Sequence, residues 1–175
     1  MNFSYQMPVK VIMGKDCVRQ NTNLFKKGWK KALIVTGKRS AKINGAQDDI
    51  CHALSACGIQ WELFDDVEPN PSVGNVRLGA KAAIEANADV IIGIGGGSPM
   101  DAAKAIAFLA VNPVDDDALF QAAFEVEPLP VIAVPTTAGT GSEVTQYSII
   151  TVPEEKTKKN LSHPTLFPVI AFLAC

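Results

Sequence analysis

Short runs of branched apolar residues punctuate the chain at 32–35, 59–64, 90–94 and 131–134, each followed by a turn signal. Continuous rather than alternating runs of this length suit strands covered on both faces. Between them the period changes. From Ser72 to Asn87, Val76, Leu78, Gly79, Ala82, Ala83 and Ala86 make a small-residue face opened by Pro71-Ser72. From Met100 to Val111, Ala102, Ala105, Ile106 and Leu109 recur at three and four until Asn112-Pro113 stops the run. Strand and helix alternating in this way predict an α/β fold, a Rossmann-like parallel sheet flanked by helices with right-handed crossovers. Such sheets bind ligands beyond the carboxyl ends of their strands. The segment from Phe3 to Met13 alternates in part and reads as an added strand or hairpin, and Glu154 to Lys159 reads as a charged surface turn. The apolar run from Leu166 to Cys175 has no polar tail. It predicts a buried terminus or an exposed patch, as in a chain cut short.

Length and composition narrow the picture. The 175 residues suit one domain, 1–175, and 47% hydrophobic with 19% charged residues is the balance of a folded chain. Sixteen basic against eighteen acidic residues leave a net charge of −2, which gives no broad attraction for nucleic acid. No apolar run approaches the roughly 20 residues of a membrane span, and the first ten residues lack the core of a signal peptide, so no membrane partner and a cytoplasmic location are expected. Cys17, Cys51, Cys57 and Cys175 contain no Cys-x-x-Cys pair and read as reduced thiols.

Three loops carry candidate chemistry. The strand at 90–94 runs into Gly95-Gly96-Gly97-Ser98-Pro99-Met100-Asp101. Bare amides and a positive helix end meeting at one point make a phosphate cradle, with the Ser98 hydroxyl as a further donor and Asp101 in the first helical turn. The competing reading is a tight turn with Ser98 as N-cap, which accounts for one glycine better than three. The spacing completes neither Gly-x-Gly-x-x-Gly nor a Walker A loop. Past the fourth strand, Pro135-Thr136-Thr137-Ala138-Gly139-Thr140-Gly141-Ser142-Glu143-Val144-Thr145 crowds small residues and hydroxyls together, as a loop along a ribose or pyrophosphate needs, or as a plain Ser/Thr turn would. Past the first, Thr36-Gly37-Lys38-Arg39-Ser40 lacks the carboxylate that holds a ribose 2′-hydroxyl and offers cations instead, which leans toward NADP over NAD. A solvent-facing basic turn is the alternative. The carboxylates Asp65, Asp66 and Glu68 before Pro69-Asn70-Pro71 read as a solvated turn, and His52 and His163 as structural.

With Gly95-Gly96-Gly97-Ser98-x-x-Asp101-x-x-Lys104, Pro135-Thr136-Thr137-x-Gly139-Thr140-Gly141-Ser142-Glu143 and Pro69-Asn70-Pro71 in place, the chain from Phe3 to Leu173 resembles the cofactor-binding N-terminal half of the iron-containing alcohol dehydrogenases, whose fold is dehydroquinate-synthase-like. The resemblance implies that Gly95, Gly96, Gly97 and Ser98 hold a pyrophosphate, with Asp101 supporting that loop. It implies that Thr136, Thr137, Thr140 and Thr145 line the adenosine and phosphate track with Asn70 nearby, and that Lys158, or Lys159 with a one-residue slip, contacts the cofactor. Gly37 stands where NAD-using members often carry aspartate, with Ser40 beside it. The resemblance implies a helical C-terminal domain, supplying an aspartate and three histidines to iron or zinc, that is expected to be missing from this chain, and residues from about 160 to 175 read as the start of the connection to it. No catalytic residue and no metal ligand is assigned here. The expectation is the nicotinamide-dinucleotide domain of a truncated dehydrogenase, inactive alone, with self-association through the bare apolar end. The alternatives are a folded remnant with little nucleotide affinity, or a glycerol-dehydrogenase-like relative.

Overall fold

The computed structural model of the chain describes residues 3, 6–121 and 125–174. Cys175, and Ser4 and Tyr5 of the expected N-terminal strand, lie outside them. Among the described residues eight strands form: β1 (Lys10–Met13), β2 (Lys31–Thr36), β3 (Gln60–Phe64), β4 (Val90–Gly95), β5 (Val131–Pro135), β6 (Tyr147–Val152), β7 (Thr157–Ser162) and β8 (Ile170–Leu173). The helices are α1 (Cys17–Gln20), α2 (Ser40–Ile43), α3 (Ala46–Ala56), α4 (Val73–Glu85), α5 (Gly97–Leu109) and α6 (Asp116–Leu119). Six strands make one parallel sheet in the order β1-β8-β5-β4-β2-β3, while β6 and β7 pair antiparallel as a separate hairpin.

Both faces of the sheet are covered, which is why its central strands are apolar without alternation. Ala32, Ile34, Ile92, Ile94, Ile132 and Ile170 pack on one side with Cys17, Ile50 and Leu54 of α1 and α3. Leu33, Val35, Ile91 and Val131 pack on the other with α4, α5 and the hairpin's Ile150 and Leu161. Edge strand β3 departs from the expected two-sided burial, since Trp61 and Leu63 keep more than a third of their surface in water. Helix α5 is buried almost throughout, sandwiched between the sheet and the α4–hairpin layer, so past Ser98 it is apolar all round except at Asp101 and Lys104.

Three segments differ from their sequence expectation. The apolar run near the C-terminus is neither a connection nor an uncovered end: β8 lies between β1 and β5, with Ile170, Ala171 and Phe172 buried and Phe172 stacked on Phe25 at 5.6 Å between ring centres. A four-residue strand in mid-sheet is indistinguishable by composition from a bare apolar patch, and only its two partners decide the matter. The charged stretch from Glu154 is a turn only to Lys156, and Thr157–Lys159 continue as β7. Helix α5 starts three residues earlier than its apolar period shows, so Asp101 stands in the second turn.

Adjacent strands β2 and β4 send the chain to opposite faces of the sheet, β2 into α2 and α3 and β4 into α5. A crevice opens at the carboxyl ends of such a pair. How closely α5 lies on β4 is set by Gly93, where an added Cβ would stand 2.8 Å from Ala103 Cβ and 3.3 Å from Met100 Cα. Gly93→Ala is therefore expected to destabilise the fold by about 1–3 kcal/mol through overpacking. Urea unfolding at constant slope checks this, and an unchanged midpoint contradicts it.

Candidate functional site: a cleft at the switch of strand order

Beyond β2, β3 and β4 lies an open cleft of about 780 Å³. It is lined by Gly37, Lys38, Arg39 and Ser40 after β2, by Asp66, Val67, Glu68 and Pro69 after β3, by Asn75 and Leu78 of α4, and by Gly96, Gly97, Ser98 and Pro99. Gly96 is the N-cap of α5, and no side chain caps that end. The first four N–H groups of a helix have no partner inside it, and Pro99 removes one of the four, so Gly96, Gly97 and Ser98 present three donors. Ser98 is thus inside the helix rather than its cap. Its Oγ accepts from Asn70 N at 3.2 Å, which leaves the hydroxyl proton for an acceptor in the cleft. Gly95, at φ +146, holds a conformation few other residues adopt and lies against Pro99.

The threonine-rich loop packs against the glycine-rich turn, although Thr136, Thr137 and Thr140 are not among the residues that line the cleft. An added Cβ on Gly96 would meet Thr137 Oγ1 at 3.3 Å, and one on Gly97 would meet Thr140 Oγ1 at 2.9 Å, so the glycines are what let the two loops approach. Thr136 N donates to Gly95 O at 2.8 Å, joining the ends of β4 and β5. The Thr136 hydroxyl oxygen is buried and has no hydrogen-bond partner among the described residues. Asn70, in the left-handed region at φ 57, is a junction. Its backbone carbonyl accepts from Thr151 Oγ1 at 3.1 Å and its Oδ1 from Lys158 Nζ at 2.7 Å, which ties the β6–β7 hairpin to the glycine-rich turn. Thr145 lies apart, in a smaller hollow of about 270 Å³ with Met7, Tyr147 and Phe167.

Below the cleft lies a polar cluster of which the sequence singled out only Asp101 as a site residue. Lys104 is fully buried, and its Nζ donates to Ser142 O at 2.7 Å, Ser142 Oγ at 2.8 Å and Tyr147 O at 2.7 Å. Ser142 Oγ donates in turn to Asp101 Oδ1, and Asp101 Oδ2 accepts from Ile149 N at 3.2 Å. Asp101 therefore turns away from the cleft and fastens the second loop to α5. Burial pushes the Asp101 carboxyl above the usual carboxylate range, opposed by the Ser142 hydroxyl and the Lys104 ammonium. Burial also lowers Lys104 to about 8 against the pull of Asp101 and Glu143. The signal for Lys104 in the sequence is a lone cation three residues past Asp101 in an otherwise apolar helix, since lysine is almost never fully buried without partners.

A doubly wound α/β domain with a glycine-rich helix start at its switch point is the class that fold and cleft define. Residues 8–174 match the model of the iron-containing alcohol dehydrogenase family. The chain belongs to that family. It is 40% identical over 151 residues to a long-chain primary alcohol dehydrogenase of Thermoanaerobacter ethanolicus, covering 85% of this chain and 38% of that one. To a 1,3-propanediol dehydrogenase of Klebsiella pneumoniae it is 45% identical over 136 residues, covering 75% and 34%. A crystal structure of an iron-containing alcohol dehydrogenase from Thermotoga maritima superposes with a TM-score of 0.91 at 41% identity, covering 99% of this chain and 48% of that one. The chain spans less than half the length of these relatives.

The Lys104 assignment has a pH signature. Between pH 8 and its ordinary value of 10.5 the folded chain has released a proton that the unfolded chain still holds, so this group makes stability rise with pH across that window. The slope is at most about 1.4 kcal/mol per pH unit. In Lys104→Met that component is absent. Urea unfolding of both proteins from pH 8 to 10 reads the difference, and equal slopes contradict the assignment.

Proposed function

We propose that this chain is the nicotinamide-dinucleotide-binding part of a dehydrogenase that interconverts alcohols and aldehydes, taking NAD or NADP. The observation that carries the reading is the uncapped helix start at Gly96, Gly97 and Ser98, whose amides have no partner within the helix, with the hydroxyls of Thr137 and Thr140 packed beside it, at the place where doubly wound sheets bind nucleotides. The dinucleotide fits what is there. Glycines keep open a channel that a Cβ would narrow, Thr136 offers a buried hydroxyl with no partner, and Val67, Pro69 and Leu78 give the cleft an apolar wall suited to a base.

In this reading Gly95 shapes the turn, the amides of Gly96, Gly97 and Ser98 receive the pyrophosphate, and Thr136, Thr137 and Thr140 flank it. Asn70 and Lys158 border the same track through Ser98. Gly37 and Ser40 receive the adenosine ribose, and Lys38 and Arg39 next to them favour NADP. Asp101 holds the wall in place from behind, and Thr145 borders the neighbouring hollow, where the track leads past the second loop. The bound nicotinamide supplies hydride transfer to or from a substrate carbon; these residues bind and orient it. Iron or zinc does not fit these residues alone, for among the described residues no three His, Cys, Asp or Glu side chains converge. The likeness to alcohol and propanediol dehydrogenases supports the reaction class, and no described helix is long and apolar enough to cross a membrane.

Gly96→Val tests the reading, because Gly96 has φ −79, a backbone any residue adopts, so a side chain there displaces the Thr137 hydroxyl and closes the channel while the backbone keeps its conformation. Titration of NADH and NADPH fluorescence is expected to show saturable binding to the parent chain and at least tenfold weaker binding to the variant, with similar thermal unfolding. Equal affinities contradict the proposal.

A further inference from the structure

The segment after β2 offers no carboxylate, but the structure delivers one from the neighbouring strand. β2 and β3 run parallel in the register Val35↔Phe64, so the residues that follow them, Gly37–Ser40 and Asp65–Asp66, emerge side by side. Asp66 lines the same cleft as Gly37, Lys38 and Ser40. Its Oδ1 pairs with Lys38 Nζ at 3.2 Å, with both side chains mostly in water. An exposed pair of this kind is held loosely and yields to a stronger partner. Lys42 is taken by Asp65 at 2.9 Å, and Glu68 accepts from Ser72 Oγ. Lys38 and Asp66 are thus the oppositely charged pair bordering the bare backbone of Gly37, with Arg39 as a further cation.

We propose, resting on the dinucleotide reading above, that Asp66 is the residue that sets discrimination between a ribose 2′-hydroxyl and a 2′-phosphate in this cleft. A carboxylate accepts from a hydroxyl and keeps Lys38 neutralised, so NAD binds with the Lys38–Asp66 pair intact. A 2′-phosphate meets Asp66 as a like charge and must draw Lys38 away from it. The cations attract the phosphate and Asp66 opposes it, which keeps the preference between the two cofactors narrow. Asp66 follows β3 beside the turn that holds Gly37, so the carboxylate comes from a sequence position about thirty residues beyond the one where the first βα turn would show it.

The test is fluorescence titration of NADH and NADPH against the 175-residue chain and its Asp66→Asn and Lys38→Met variants, at low and high salt. Asp66→Asn is expected to raise affinity for NADPH relative to NADH about threefold to tenfold, and Lys38→Met to lower it by a similar factor, both effects shrinking at high salt. Both positions are exposed, so folding is preserved and unfolding midpoints verify it. An unchanged NADPH-to-NADH ratio in Asp66→Asn overturns this proposal and leaves the dinucleotide reading standing. Absence of saturable binding of either nucleotide to the parent chain overturns both.

Discussion

A fully buried ammonium, Lys104, with three oxygens from a loop thirty-eight to forty-three residues away, is the constraint on which the cleft depends. Burying a charge costs several kcal/mol unless its donors are all satisfied, so the arrangement holds only while Ser142 and Tyr147 stay where they are. That makes Lys104 a stringent register pin. Helix α5 starts at the glycine-rich turn, the 136–147 loop starts at the end of β5, and the Lys104–Ser142–Asp101 cluster fixes one against the other beneath the turn that borders the cleft.

Other links extend the same frame outward. Ser148 Oγ donates to the Asp101 carbonyl at 2.7 Å, which brings the β6–β7 hairpin onto α5, and the hairpin in turn holds the 69–72 segment through Thr151 and Lys158. Thr151 N donates to Pro71 O at 2.8 Å, so this clamp is partly backbone and independent of side-chain identity. The glycine-rich turn is therefore bordered by segments from β3, β5 and the hairpin. Its donors are left for a ligand because its neighbours are satisfied elsewhere.

Much of this was legible in the sequence and some was not, for definable reasons. Three of the apolar runs mark β2, β4 and β5 because strands covered on both faces need no polar face, while edge strand β3 is marked by its run without that burial, and the glycine triplet marks the helix start because no other residue type permits both the Gly95 conformation and the approach of Thr140 to Gly97. β8 was hidden because a short central strand near a chain end resembles an unpaired apolar tail until its partners are known. β6 and β7 were hidden because β6 buries Ser148 while exposing Tyr147 and Ile149, and because Thr157–Lys159 carries charges on an exposed strand. Within the site, sequence proximity favoured Gly37 and Ser40, while Asp66 arrives from the next strand and Lys104 acts from underneath. Both depend on which segments lie side by side, which spacing along one chain does not encode.

The most direct measurement is an amide ¹H–¹⁵N titration of the isotopically labelled chain with NADH. The account predicts saturable shifts concentrated on Gly96, Gly97 and Ser98 with Thr136 and Thr137, while the Ile149 amide, held by Asp101, stays in place. Unmoved resonances at Gly96, Gly97 and Ser98 at saturating nucleotide, or shifts confined to another face of the sheet, would contradict it.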